Sequence, residues 1–171
     1  MRYLVYACIG LIIGSSGIAC ASTTVPLPEI GEDESAQVLP VTAKAIVGDA
    51  EIKLEVATTP EQMAKGVMFR SDLPSDRGML FPIAPPREVQ FWMKNVQIPL
   101  DILFIRDGQV QSIAPNVPGC ASLSESSFDD CPRVRSTGRV DQVLEVPAGT
   151  AQSLGLSSDD EIEIVFLEIK E

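Results

Sequence analysis

The alternation of apolar and polar residues first predicts a β-hairpin. In residues 51–56 apolar side chains alternate with charged ones, which is the period of a half-buried strand. Residues 41–47 form a second apolar run, and residues 48–50, which include a glycine, separate the two. We therefore expect two strands joined by a short turn.

A helix is predicted directly after this hairpin. Thr59 is a typical capping residue, Pro60 suits the first helical position, and Gln62 lies three residues after the cap. Apolar residues one turn apart follow these three. The pattern predicts a helix that begins at Pro60 and ends near Arg70.

Most of the remaining pattern predicts strands. The Asp107-Gly108 dipeptide favours a tight hairpin between two of them. A second short helix is expected over 147–154. About six strands with two short helices predict a mainly β (α+β) domain, either a small barrel or a strongly bent antiparallel sheet. The expected strands after the first helix are 88–94, 100–106, 109–113, 140–146 and 161–169.

The start of the chain resembles an export signal. Met1-Arg2 supplies a positive start, residues 3–13 are an unbroken apolar run, and small residues follow. The run is shorter than the roughly 20 apolar residues of a membrane-spanning helix. We expect residues 1–21 to be a cleaved signal peptide and the protein to be exported.

Two modes of cleavage remain open. Ala19-Cys20-Ala21 fits ordinary signal peptidase, whereas Ile18-Ala19-Cys20 resembles a lipobox in which Cys20 becomes lipid-modified. The product is then either a soluble periplasmic protein or a membrane-anchored lipoprotein. Residues 22–40 are rich in proline and acidic side chains and are predicted to be a disordered tether. Residues 41–171 remain as a single domain.

Composition and charge narrow the possible partners and chemistry. The chain has 13 basic and 24 acidic residues, so its net charge is -11. A surface this negative repels a phosphate backbone, and no nucleic-acid partner is expected. Histidine is absent from the sequence, which removes catalytic triads, imidazole bases and histidine-bearing zinc sites. We expect no metal and no cofactor, and membrane contact only through a lipid on Cys20.

Two cysteines lie in the predicted folded domain. Cys120 and Cys131 fall within 114–137, an irregular segment that is long for a compact domain. Such a segment must be tied down or functional, and an oxidising compartment favours a disulfide. We expect Cys120 and Cys131 to be bonded to each other.

Trp92 is the single tryptophan of the chain. Period-two alternation places it with Gln90 and Lys94 on the polar face of its strand. An aromatic surface with a few placed polar groups is typical of a ligand groove. The alternative interpretation is that Trp92 covers a second small core beneath the tether or the long loop.

Trp92 is an aromatic residue on a polar face, whereas Asp101 is a charged residue on an apolar face. Its strand position places it among apolar side chains. A carboxylate in apolar surroundings needs a partner or a raised pKa, and Lys94, Arg70 and Arg77 are the candidate partners. Asp101 could bind a cationic group or act as an acid or base. It could instead form a structural salt bridge at the Pro99 turn. The candidate ligand site comprises Trp92, Lys94, Asp101 and Arg70.

Several strings of residues in the predicted domain are distinctive. They include Phe91-Trp92-Met93-Lys94-Asn95, Ile98-Pro99-Leu100-Asp101-Ile102, Gly66-Val67-Met68-Phe69-Arg70 and Val143-Leu144-Glu145-Val146. Together these strings resemble one protein family, the domain of unknown function 192 (DUF192) family. This resemblance covers about residues 41–170 and implies a compact mainly-β domain, often exported, with no established activity. The usual Asn-Thr of the family is Asn95-Val96 here, which removes a hydroxyl group.

Three functional hypotheses follow. The first is an exported or lipid-anchored accessory domain that binds an unknown small molecule or envelope protein. The second is a small carboxylate-dependent enzyme acting on cell-envelope material; the missing histidine and the lack of paired carboxylates count against it. The third is a structural protein–protein interaction module. An apolar concavity beside Trp92 would favour the first hypothesis, and a flat apolar patch would favour the third.

Overall fold

The computed structural model describes residues 35–121 and 130–168. The predicted signal peptide, Cys20 and most of the predicted tether lie outside these ranges. Among the described residues, no helix is long and apolar enough to cross a membrane. The described strands are β1 (Val41–Val47), β2 (Ala50–Val56), β3 (Arg77–Arg87), β4 (Gln90–Trp92), β5 (Leu100–Arg106), β6 (Gln109–Val117), β7 (Arg133–Arg135), β8 (Val140–Pro147) and β9 (Glu163–Phe166); the helices are α1 (Pro60–Lys65) and α2 (Thr150–Ser153).

Seven of these strands form one sheet that curls into a half-barrel. Their order is β6-β5-β8-β3-β2-β1-β9, and β4 pairs with β7 in a separate two-stranded sheet. Neighbouring strands in the large sheet are antiparallel except β2 and β3, which are parallel. The predicted mainly-β class with a strongly bent sheet is confirmed.

The two ends of the large sheet approach each other at one corner. The backbone N–H of Ile162 donates to the carbonyl of Gly108 over 2.9 Å, and that of Val110 donates to the carbonyl of Asp160 over 2.9 Å. These bonds join the β5–β6 hairpin to the segment just before β9. The half-barrel is therefore tied across its opening at this corner.

Both predicted hairpins are present. The β1–β2 turn contains Gly48 with φ of 55°, and the β5–β6 turn has positive φ at both Asp107 and Gly108. Two central residues with positive φ suit the right-handed twist of the flanking strands, which is why Asp-Gly is favoured there. Both turns are determined by a few adjacent residues, and the folded domain keeps the conformation that those residues favour.

Helix α1 begins as predicted and ends earlier than predicted. The Thr59 hydroxyl accepts from the N–H of Gln62, and the Gln62 side chain accepts from the N–H of Thr59, which is a complete capping box. The helix ends at Lys65 because Gly66 adopts φ of 49°, a conformation that costs glycine little. The predicted end near Arg70 is wrong, and residues after Gly66 form a loop.

Several strand predictions differ from the structure in extent. β3 and β7 were not predicted, and β4 covers only the centre of the expected 88–94 strand. β6 runs to Val117, whereas β9 and α2 are shorter than expected. Prolines 82, 85 and 86 lie in β3, and proline within a run argues against a strand because it donates no ladder hydrogen bond.

The large sheet carries apolar side chains on both faces. One cluster receives side chains from all seven strands, including Leu54, Leu103 and Leu144. The second cluster, which includes Phe81 and Phe104, lies on the other face and is covered by the loop after α1 and by the β4 region. This second face holds the candidate site.

The predicted disulfide joins Cys120 and Cys131 with a Cα–Cα distance of 5.6 Å. On one side of it, the N–H of Asn95 donates to the Cys120 carbonyl over 3.0 Å. On the other, the N–H of Met93 donates to the Pro132 carbonyl over 3.0 Å. The bond therefore fastens two segments that both support the chain immediately after β4.

Replacing Cys120 and Cys131 together by serine should lower the free energy of unfolding by about 3 kcal/mol, the chain-entropy value for a short closed loop. The loop spans a sequence separation of 11 residues. Urea denaturation of the oxidised protein and of the double variant measures the difference. Reduced wild-type protein is the matched control and should unfold with the variant. Equal stability of all three proteins would contradict the expectation.

Candidate functional site

A cavity of about 490 Å³ lies between the α1 region and the β4 region. One side consists of Met63 to Met68, the opposite side of Arg87 to Trp92, and Phe81 and Glu145 line it as well. Its volume is within the range of small-molecule sites. Its lining is mainly apolar and aromatic, with few polar groups.

Glu145 is the unusual residue in this lining. It lies in the middle of β8, where Val143, Leu144 and Val146 are also buried. The Glu145 side chain is 5% exposed, and its Oε2 atom has no hydrogen-bond partner among the described residues. Burial raises the pKa of the Glu145 carboxyl to about 8, although the positive charge of Arg70 opposes this rise. At neutral pH the carboxyl is mostly protonated.

Gly66 leaves room beside this carboxyl. A Cβ atom added to Gly66 would lie 3.4 Å from Cζ of Phe81 and 3.8 Å from Oε2 of Glu145. The positive φ of Gly66 ends α1, and because glycine has no Cβ, residue 66 places no side chain beside Glu145. The residue that terminates the helix therefore also shapes the cavity wall.

Arg70 does not neutralise Glu145, because Glu55 occupies its guanidinium group. The two guanidinium NH₂ groups of Arg70 lie 2.9 and 2.6 Å from the Glu55 carboxylate oxygens, and both side chains are buried. The Nε and Nη2 atoms of Arg70 also donate to the carbonyl of Gln37. The pair satisfies its own charges, and none of the ion pairs among the described residues involves Glu145.

Part of the predicted tether packs against this pair. The Gln37 side chain donates to the carbonyls of Gln62 and Gly66, each over 2.8 Å, and so caps the end of α1. The N–H of Leu39 donates to Glu55 over 2.7 Å. Residues 37–39, just before β1, thus hold α1 and the Glu55–Arg70 pair together.

Trp92 lies between two cationic side chains. β4 and β7 pair with Trp92 directly opposite Arg133, whose guanidinium carbon is 4.3 Å from the centroid of the indole ring. The Nζ of Lys94 is 5.6 Å from the same ring. Trp92 is half-buried, and its Nε1 is buried without a hydrogen-bond partner among the described residues. Such contacts fix the ring through cation–π attraction.

The Asp101 carboxylate is bound by backbone groups of the fold. It is fully buried, its Oδ1 accepts from the N–H of Asn116, and its Oδ2 accepts from the N–H of Ala151, each over 2.8 Å. The second bond satisfies a backbone donor in the first turn of α2. Two backbone donors, instead of the salt bridge considered from the sequence, therefore hold this carboxylate.

The structure separates the four residues of the predicted site. Trp92 lines the cavity, whereas Lys94 is not among its lining residues and contacts the Trp92 ring. Arg70 and Asp101 belong to buried networks and do not line it. Ligand binding at Trp92 and Lys94 stays a prediction.

Glu145 was not proposed from the sequence. The signal in the sequence was a carboxylate within the otherwise apolar residues 143–147 of β8.

Comparisons with known proteins identify the family to which this chain belongs. The model of the DUF192 family, described as "Uncharacterized ACR, COG1430", matches residues 42–164. A search of curated proteins gives no match. A crystal structure of a "putative transcription regulator" from Sinorhizobium meliloti is 36% identical, covers 71% of this chain and 90% of its own, and has a TM-score of 0.59.

A second similar structure is that of a protein of unknown function from Novosphingobium aromaticivorans. It is 34% identical, the match covers 77% of this chain and 94% of that one, and the TM-score is 0.61. Because the family match extends over most of the chain, this protein belongs to the DUF192 family.

Proposed function

We propose that this protein is a small-molecule binding module of the bacterial cell envelope, with its ligand in the cavity beside Trp92. The export signal predicted for residues 1–21 supports the location, either in the periplasm or on a membrane through a lipid on Cys20. The cavity supports the binding function. The name of the Sinorhizobium relative suggests regulation, and binding a small molecule is compatible with such a role.

The observation that carries this proposal is a pair of unsatisfied polar atoms on two residues that line the same cavity. Oε2 of Glu145 and Nε1 of Trp92 are buried and have no hydrogen-bond partner in the part of the chain that the structure describes, and both residues line the cavity. Leaving a buried polar group unpaired costs about 1–3 kcal/mol. A ligand that satisfies these atoms recovers this cost on binding.

Aromatic and apolar side chains supply the remaining lining. Phe91 packs edge-on against Phe81 with ring centroids 5.0 Å apart, and against Phe104 at 6.3 Å. The cavity wall around Phe81 and Phe91 is thus built on the aromatic core of the sheet. Rigid apolar walls with few polar groups favour a small molecule over an extended peptide.

Ligand retention from an envelope extract tests the proposal. The full chain is incubated with small molecules extracted from envelopes and washed, and retained molecules are identified by mass spectrometry. Trp92→Ala should weaken retention at least about tenfold, or 1.4 kcal/mol, with nearly unchanged thermal stability. Phe166→Ala is the control, because Phe166 is an exposed aromatic of β9 that does not line the cavity.

The structural alternative for Trp92 gives the reverse result. If its main role is to cover a core, Trp92→Ala loses roughly 3 kcal/mol of stability, as is typical of truncating a buried aromatic residue. Large destabilisation combined with unchanged retention in the folded fraction would defeat the proposal, as would the absence of any retained molecule.

A second candidate function is favoured by Glu145 alone. A carboxyl in a cavity whose pKa is raised to about 8 has the property of a general acid at neutral pH. The carboxylate-dependent enzyme considered from the sequence would then use Glu145 instead of Asp101. Consumption of an extract component by the wild type but not by Glu145→Gln would favour this candidate.

A further inference from the structure

We infer that the ligand of this cavity is a small, largely apolar molecule whose carbonyl or carboxylate oxygens accept hydrogen bonds from the Glu145 carboxyl and the Trp92 indole. This inference rests on the proposed binding function and adds the chemical class of the ligand. It excludes a cationic amine, which an isolated buried carboxylate would otherwise suggest.

The indole contributes an unambiguous donor. Nε1 of Trp92 carries a hydrogen and has no acceptor capacity. It is buried and has no partner within residues 35–121 and 130–168, and the ring contacts Arg133 at 4.3 Å and Lys94 at 5.6 Å. A group that satisfies this nitrogen must supply an acceptor atom.

Glu145 can be an acceptor when ionised or a donor when protonated, so its charged surroundings decide its role. From the loop after α1, Arg70 acts on it over a distance, but Glu55 of β2 and the Gln37 carbonyl bind the guanidinium group. Burial without a bound counter-charge favours the neutral acid. The neutral acid presents an O–H donor.

The other charged residues of the lining disfavour a cationic ligand. Lys65 of α1 and Arg87 of β3 line the cavity, and Glu88 is the only other acidic residue besides Glu145 among the described lining residues. Among the described residues, the lining therefore offers an ammonium group one further carboxylate besides the neutral Glu145. An ammonium group would lose its hydration there with little compensation, whereas a carboxylate or neutral oxygen can accept hydrogen bonds from the two donors.

The body of the ligand follows from the rest of the wall. Met63, Val67, Met68, Phe81, Ile83 and Phe91 offer apolar surface and no side-chain hydrogen bonds. A polar ligand such as a free sugar would lose its hydration there without compensation. The wall therefore selects a ligand with an apolar body that also carries acceptor oxygens.

Three probes with the same phenyl group test the inference: phenylacetamide, phenylacetate and phenethylamine. Binding to the full chain is measured by the fluorescence of Trp92, the single tryptophan, and by saturation-transfer NMR. We expect the amide or the carboxylate to bind and the amine not to bind at pH 6.5. Preference between the first two identifies a neutral or an anionic ligand.

The pH dependence and two variants of Glu145 test its donor role. With a pKa of about 8, binding of phenylacetamide at pH 9 should be about tenfold weaker than at pH 6.5, because only the protonated fraction binds. Glu145→Gln keeps an N–H donor and should bind without this pH dependence. Glu145→Leu removes the donor and should bind weakly at both pH values. Glu163→Gln changes an exposed residue of β9 and should show the same pH dependence of phenylacetamide binding as the wild type.

Three results would overturn the inference. They are preferred binding of phenethylamine, tighter phenylacetamide binding at pH 9 than at pH 6.5, and no binding of any of the three probes. Circular dichroism at both pH values confirms that each variant is folded. If the extract experiment still yields a retained molecule, the binding function stands and only the ligand class is wrong.

Discussion

Glu145→Gln should make the protein more stable than the wild type at pH 9, while the two proteins have nearly equal stability at pH 5. The folded pKa of Glu145 is about 8, above its ordinary value of 4.5. A carboxyl with a raised folded pKa contributes stability that is present below pH 4.5 and is lost as the pH rises through 8. The loss follows from ionising a buried group that has no counter-charge.

The expected size is large because the group is buried. Each pH unit between the two pKa values corresponds to about 1.4 kcal/mol, so the difference should reach roughly 4–5 kcal/mol at pH 9. Urea denaturation at several pH values measures it for both proteins. Glu61, Asp76 and Asp160 have lowered pKa values, held down mainly by hydrogen bonds, so their contributions are lost at the acid end and are the same in both proteins. A difference that does not change from pH 5 to pH 9 would contradict the expectation.

Arg70→Ala should lower the free energy of unfolding by about 3–5 kcal/mol, the usual cost of removing one partner of a buried ion pair. Glu55 would then be a buried carboxylate without its counter-charge, and the Gln37 carbonyl would lose its two donors. Thermal and urea denaturation at neutral pH measure the loss.

The double variant Glu55→Gln with Arg70→Met is the matched comparison. It removes both charges and keeps most of the buried volume, so it should be clearly more stable than Arg70→Ala. Lys53→Ala provides a surface control, because the Lys53–Asp76 ion pair at 2.8 Å is exposed and solvent screening leaves it little effect on stability. Equal losses in Arg70→Ala and Lys53→Ala would show that the buried pair is not important for stability.

The parts of the fold that the sequence predicted are those with local causes. The capping box at Thr59 involves residues three positions apart, and the Asp107-Gly108 turn involves adjacent ones. Apolar and charged residues alternate in the first part of β2 because one face of the strand is buried. These signals act over a few residues, and the surrounding structure reinforces them.

The parts that were missed depend on distant residues. β3 is held as a parallel neighbour of β2 and an antiparallel neighbour of β8, and these pairings outweigh the prolines that locally oppose a strand. β7 forms because β4 is opposite it and the disulfide fixes the chain nearby. Neither pairing has a signature within its own short segment.

The candidate site likewise combines features with local causes and features that depend on distant residues. Lys94 lies two residues from Trp92 on one face, so their proximity was predictable from alternation. Arg133 reaches the opposite side of Trp92 only through β7. Asp101 and Glu145 are both carboxylates in apolar strands, and the sequence does not tell which one receives backbone donors and which one is left in a cavity.

The order of strands in the sheet has a consequence for the nascent chain. β1 is made early, yet one of its two edges is paired by β9, which is synthesised last. Until β9 has emerged, the β1–β2 hairpin presents an unpaired edge, which is a template for pairing with another chain. The last strand thus protects the first one against self-association, and this protection arrives only when synthesis of the domain is nearly finished.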